Sequence, residues 1–152
     1  MVNKMYNPNR FLVRALPKGI NLYNAKRQQW VYGNLVEYEP VVYCTSEDYE
    51  ALGDPKKFYI ITHDEADWGM KREYSRIEVE EKTIQQCTGL RDKDSKLVYE
   101  GDILHYTGGI VWEGPIRWDT YRGWYIQLKS NILDLGHTNL NEWKIVGHIH
   151  EL

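Results

Sequence analysis

The sequence predicts a mainly β protein, and three observations carry that expectation. Short runs of residues alternate apolar and polar at period two. Turn-forming residues interrupt those runs about every 8–12 positions. Aromatic side chains are abundant, with six Trp, twelve Tyr and two Phe in 152 residues. A chain of this length is sized for about one domain and buries roughly 68–70% of its unfolded surface, enough for a core without disulfides or metals.

The elements follow in chain order. Residues 10–15 read as a strand, and so do residues 29–38, with Gly33 inside the run; a glycine there predicts a bulge or a bend. Val41–Cys44 and Lys57–Thr62 are short, β-branched and aromatic. Arg76–Glu80 alternates, with Ile77 and Val79 on one face and charges on the other. Thr45–Gly53 has a hydroxyl capping candidate, early acids and a closing glycine, which predicts a helix of two turns at most. Residues 63–75 have no clear period and read as a loop. In the second half, strands are expected over 83–88, 102–107, 110–118, 124–129 and 144–150, with reversals at Gly108-Gly109 and at 119–123. Five such strands argue a small antiparallel barrel or sandwich. The expected division is a β-rich part with a short helix over 1–85 and a second β part over 86–152, with a soft boundary and no linker of biased composition.

Charge narrows the function classes. Nineteen basic and 22 acidic side chains give a net charge of −3, which disfavours a duplex nucleic-acid binder because phosphate contacts need a positive excess. Residues 1–36 hold six bases and no acid, residues 37–81 thirteen acids against five bases. The basic arm is expected to pair with the acidic middle of the same or a neighbouring chain, a mixed-sign arrangement that keeps a surface soluble. No apolar stretch is long enough to span a membrane. The first residues lack the apolar run of a signal peptide. The two cysteines, Cys44 and Cys87, form no framework and are expected reduced and at least partly buried. A cytoplasmic protein is the consequence.

Residues 88–104, TGLRDKDSKLVYEGDIL, closely resemble the signature of the YopX family, small proteins of bacteriophages and prophages whose pattern is T-G-L-x-D-x-x-G-x-x-I/V-Y/F-E-G-D-I/V. Trp30–Leu35 is similar to the family's W-V-Y-G-x-L, and Lys144–Glu151 to its closing x-V-I-G-N-I-Y-E. The resemblance implies an all-β fold whose C-terminal part is an SH3-like small β-barrel. It carries no biochemical activity residue by residue. Ser95 stands where the family commonly has Gly, implying a turn that does not need positive φ there, and His148 and His150 replace Asn and Tyr. The residues themselves give the motif (Thr88, Gly89, Leu90, Asp92, Tyr99, Glu100, Gly101 and Asp102) a structural reading. The Asp92–Ser95 segment bonds its own backbone in a turn. Leu90, Val98 and Ile103 face a core, Gly89 and Gly101 allow reversals, and Glu100 and Asp102 cap turn amides.

Chemistry-bearing alternatives weigh less. Asp92 and Asp94 have the spacing of the first ligands of a calcium loop, but Leu97 and Ile103 stand where that loop needs Gly and Glu. His148 and His150, on one face of a strand, are weak zinc candidates with His63, His105, His137, Asp64 or Glu151 as further ligands; a solvent-facing pair is favoured, so no metal or cofactor is expected. Glu100 and Asp102 lack a nucleophile, oxyanion hole or metal beside them, so no enzyme is expected. Arg117, Trp118, Tyr121, Arg122, Trp124 and Tyr125 form a candidate interaction surface. It is read first as a protein-recognition and self-association surface of a non-enzymatic phage accessory protein, with a homo-oligomer and an unidentified host or phage protein as partners and no membrane. The alternative is a weak single-stranded nucleic-acid binder that stacks bases on these aromatics.

Overall fold

Alternating side chains need strand partners before they bury anything, and the chain divides into two compact units, Val13–Ile84 on one side and Gln85–Leu152 together with Met1–Leu12 on the other. The computed structural model describes residues 11–20, 29–63, 74–136 and 139–150. About half of these lie in strands. No helix among them is long and apolar enough to cross a membrane.

In the first unit, β1 (Leu12–Ala15), β2 (Val31–Tyr38), β3 (Lys57–His63) and β4 (Tyr74–Val79) lie in the order β4-β3-β2-β1. The register pairs Leu35 with Ile60 and Ile60 with Ile77, so one face collects the apolar set. Its core is Val13, Ala15, Ile60 and Val79, with Val31, Phe58, Ile77 and Ile84 packed against it. A buried hydroxyl secures the ends of β1 and β4: Thr83 Oγ1 accepts from Leu16 N at 2.9 Å and donates to Glu80 O at 2.7 Å. The expected pairing of the basic arm with the acidic middle is present at Lys18, whose Nζ lies 3.1 Å from Glu78 Oε1. The helix α1 (Ser46–Leu52) starts where Thr45 Oγ1 accepts from Asp48 N and ends at Gly53 with φ 79°. It buries none of its residues.

In the second unit, β5 (Gln85–Arg91) and β6 (Leu97–Tyr99) form a hairpin. A five-stranded antiparallel sheet follows, built from β7 (Asp102–Tyr106), β8 (Glu113–Asp119), β9 (Gly123–Gln127), β10 (Ile132–Asp134) and β11 (Trp143–His148) in the order β10-β9-β8-β7-β11. Its core joins Val98 of the hairpin to Leu104, Ile116, Ile126 and Trp143 of the sheet and to Leu128, Leu135 and Leu140 of its loops.

Several expectations are corrected here. The sheet does not close into a barrel: β11 pairs with β7 and leaves β10 at the opposite edge. Val41–Cys44 is not a strand, because Pro40 withholds an N–H and the segment has no partner edge. Cys44, in that stretch, is exposed, whereas Cys87 is buried. The strand expected from Ile110 begins only at Glu113. Strands β6 and β10, three residues each, were not anticipated, being too short to show a period. Leu104, and not Ile103, is the β7 residue in the core. The loop expected over 63–75 falls mostly on residues 64–73, outside the described residues, as do Arg10, Asp64, His137, Glu151 and the side chain of His63.

Two strand glycines answer to close approach. A Cβ on Gly33 would run into Ile61 O, and one on Gly114 into Gln127 O, both backbone atoms that a rotamer change cannot move. The β2–β3 register runs without a shift from Asn34 to Tyr38 and begins just past Gly33, so the bulge or bend expected at that glycine lies outside it. Gly114→Ala is therefore expected to lower the unfolding free energy by about 1–3 kcal/mol. Gly136→Ala, where nothing lies within 4 Å of the added carbon, should stay within about 0.5 kcal/mol of the parent. Urea denaturation of both variants checks the contrast.

Candidate interaction site

The signature residues are drawn together into a clasp, all within the second unit. Thr88, buried in β5, donates from Oγ1 to Val98 O at 2.8 Å and accepts from Leu90 N at 3.1 Å. Gly89, at φ 80°, lies within the register shift between Cys87 and Arg91. The Asp92 carboxylate is 4% exposed. Its Oδ1 accepts from Asp94 N and Lys96 N, both at 2.9 Å, and its Oδ2 from Ile145 N at 3.1 Å. Asp102 Oδ2 accepts from Tyr99 N at 2.8 Å across the Glu100-Gly101 corner, where Gly101 has φ 84°. Ser95 has φ 63°, which overturns the expectation of a turn without positive φ: the left-handed position is kept although the glycine is not, with Ser95 N donating back to Asp92 O at 3.0 Å. Both Asp92 oxygens are occupied by backbone amides, an arrangement of a turn lock and not of a cation loop.

His148 and His150 have ring centroids 5.0 Å apart. Strand β11 ends at His148, so the two are not the strand-face pair that was expected. His148 is buried; its Nδ1 accepts from His150 N at 3.2 Å and its Nε2 lies 2.8 Å from Gln85 Oε1. These partners fit the neutral ring protonated at Nε2, which donates to Gln85 Oε1 while the one lone pair, on Nδ1, accepts from His150 N. Among the described residues no group of three metal-capable side chains occurs.

The predicted aromatic surface is split by the pleat. The β8–β9 register pairs Ile116 with Ile126, Arg117 with Tyr125, and Trp118 with Trp124. Ile116 and Ile126 are buried, so Trp118 and Trp124 share the core-facing side while Arg117 and Tyr125 share the other. Trp124 packs on the core, and Trp118 lies edge-to-face on it, at 4.9 Å between centroids and 65° between planes, with 53% of its surface exposed. Tyr121 stands at the hairpin tip, 98% exposed. The turn beneath it is tied by Asp119 Oδ1, which accepts from Tyr121 N and Arg122 N. Arg122 is held 3.2 Å from Asp134 Oδ1. The site is thus an aromatic tip, with its two arginines directed elsewhere.

A second aromatic group sits at the other end of β8. Tyr106 lies 5.5 Å from Trp112 and 5.2 Å from Trp143, and the two indoles stack within 12° at 6.4 Å. They support the Gly108–Val111 loop, whose Ile110 and Val111 are exposed. The signal was the pairing of Trp143 with Tyr106 across β11 and β7, visible only once the register is known. Tyr106 Oη donates to Glu142 Oε2 at 3.0 Å. That bond, with the nearby charge and some burial, raises the phenol above its ordinary value of 10.0. Because the folded state favours the protonated phenol, its contribution is fully present below pH about 10 and is lost as pH rises through the folded value. The stability difference between the parent and Glu142→Gln, measured by urea unfolding, should favour the parent at pH 8 and shrink at pH 11.

No curated protein matches the chain. A family model described as YopX protein matches residues 23–152, most of the chain and the whole of the signature. The chain belongs to the YopX family.

Proposed function

We propose that the protein is a non-enzymatic accessory protein of a phage or prophage, acting in the cytoplasm of the host by protein–protein recognition and by association with its own copies. The observation that carries this reading is the β8–β9 tip: Tyr121 projects fully into solvent beside a half-exposed Trp118. Aromatic side chains of limited rotamer freedom, set on a rigid hairpin, are the residues that anchor interfaces. Thr88, Asp92 and Asp102 of the signature engage backbone groups of the chain with their side-chain oxygens, which supports an interaction role over a catalytic one. A single-stranded nucleic-acid binder would need the arginines and the stacking rings on one face. Here Arg117 shares its face with Tyr125 and not with the tryptophans, and Arg122 is engaged by Asp134.

Light scattering over a range of protein concentrations tests the reading. We expect a mass above that of one chain at high concentration, returning towards one chain in Tyr121→Ser, a variant whose exposure spares the fold. A strict monomer at every concentration contradicts self-association. Salt-dependent binding of a labelled oligonucleotide would favour the nucleic-acid alternative instead.

A further inference from the structure

The first unit carries an excursion that no core explains. Between Asn34 and Lys57 not one residue is buried, yet the segment is well specified locally. The helix α1 is capped at both ends, Tyr43 packs edge-on against Tyr49 at 4.9 Å, and Tyr49 Oη donates to Glu39 Oε1 at 3.1 Å. Lys56 Nζ closes the base of the loop on Glu37 Oε1 at 2.8 Å. Local order of this kind normally comes with a buried apolar stripe. Here the apolar residues face solvent: Leu35, Val36, Tyr38, Val41, Val42 and Leu52 are all exposed. A monomer rarely leaves so many apolar side chains uncovered in one stretch.

Charge says what covers them. Residues 37–55 hold six acids and no base, and the first lysine that follows is engaged with Glu37. A symmetric contact between two copies of this excursion would set acids against acids, and like charges placed across an interface repel and disfavour it. An anionic membrane or a nucleic acid is repelled for the same reason. We infer that the excursion over residues 35–54 is a docking surface for a basic, apolar segment of a partner protein, with lysines or arginines meeting the acids and apolar side chains covering Val42 and Leu52. The inference rests on the interaction reading above and names the partner chemistry of a second surface, in the other unit from the aromatic tip.

Fluorescence anisotropy with a labelled synthetic amphipathic leucine–lysine peptide tests it on the whole chain, with a matched leucine–glutamate peptide as control. We expect the basic peptide to bind, the acidic one not to, and affinity to fall as salt is raised. Neutralising Glu47, Asp48 and Glu50 together (Glu47→Gln, Asp48→Asn, Glu50→Gln) should weaken binding about fivefold. Val42→Ser with Leu52→Ser should weaken it about tenfold. Both variants alter only exposed side chains, and their unfolding curves verify that the fold persists. Tyr121→Ser should bind the peptide as the parent does while losing self-association, so the two surfaces are scored separately. Failure of the basic peptide to bind, equal binding of both peptides, or binding indifferent to both sets of substitutions overturns the inference.

Discussion

The second unit depends on one buried carboxylate. Asp92 accepts three backbone N–H bonds, two from its own turn at Asp94 and Lys96 and one from Ile145 on β11. Hydrogen bonds to a charged acceptor contribute about 1.5–3 kcal/mol each, and a buried donor left without its partner costs a comparable amount. The local pair fixes the hairpin between β5 and β6. The third bond attaches that hairpin to a strand fifty-three positions later in the chain. Lys93 N, donating to Trp143 O at 2.8 Å, adds a second tie at the same place. With the hairpin so placed, Val98 and Leu90 meet Leu104, Ile116 and Trp143, and the core of the unit is complete.

The signature residues are thus the frame, and the exposed aromatic tip and acidic excursion lie outside them. The aromatic tip belongs to β8 and β9, whose pairing needs the close approach at Gly114 but none of the clasp's polar atoms. The acidic excursion belongs to the other unit, where it is anchored by the β2–β3 pairing and by Lys56 with Glu37. Frame and display surfaces obey different physics. The first needs satisfied polar groups in a dry interior, while the second leaves apolar side chains wet until something covers them.

Much of the frame was legible because its causes are local. Period-two alternation located β4, a hydroxyl and a glycine bounded α1, and the run of Asp, Ser and Gly placed the turns of the clasp. What was not legible depended on distant partners. Val41–Cys44 has the composition of a strand but no edge to pair with, so its β-branched residues remain exposed. Arg117 and Trp118 are neighbours in sequence, and only the register with Tyr125 and Trp124 shows that the pleat sends them to opposite faces. Ser95 kept a left-handed backbone against its own preference because the bonds converging on Asp92 fix the turn around it. The open sheet could not be told from a closed barrel, since closure is decided by where β11 returns and not by the strands themselves.

The most direct test of the central claim, that the family signature is a structural clasp centred on Asp92, is the stability of Asp92→Asn in urea. The substitution keeps the shape but replaces one acceptor oxygen by a donor, so a buried backbone N–H loses its partner. A loss of about 2–4 kcal/mol in unfolding free energy, with an unchanged dependence on denaturant, is the predicted result. A variant within about 0.5 kcal/mol of the parent would contradict the account and place the role of Asp92 elsewhere.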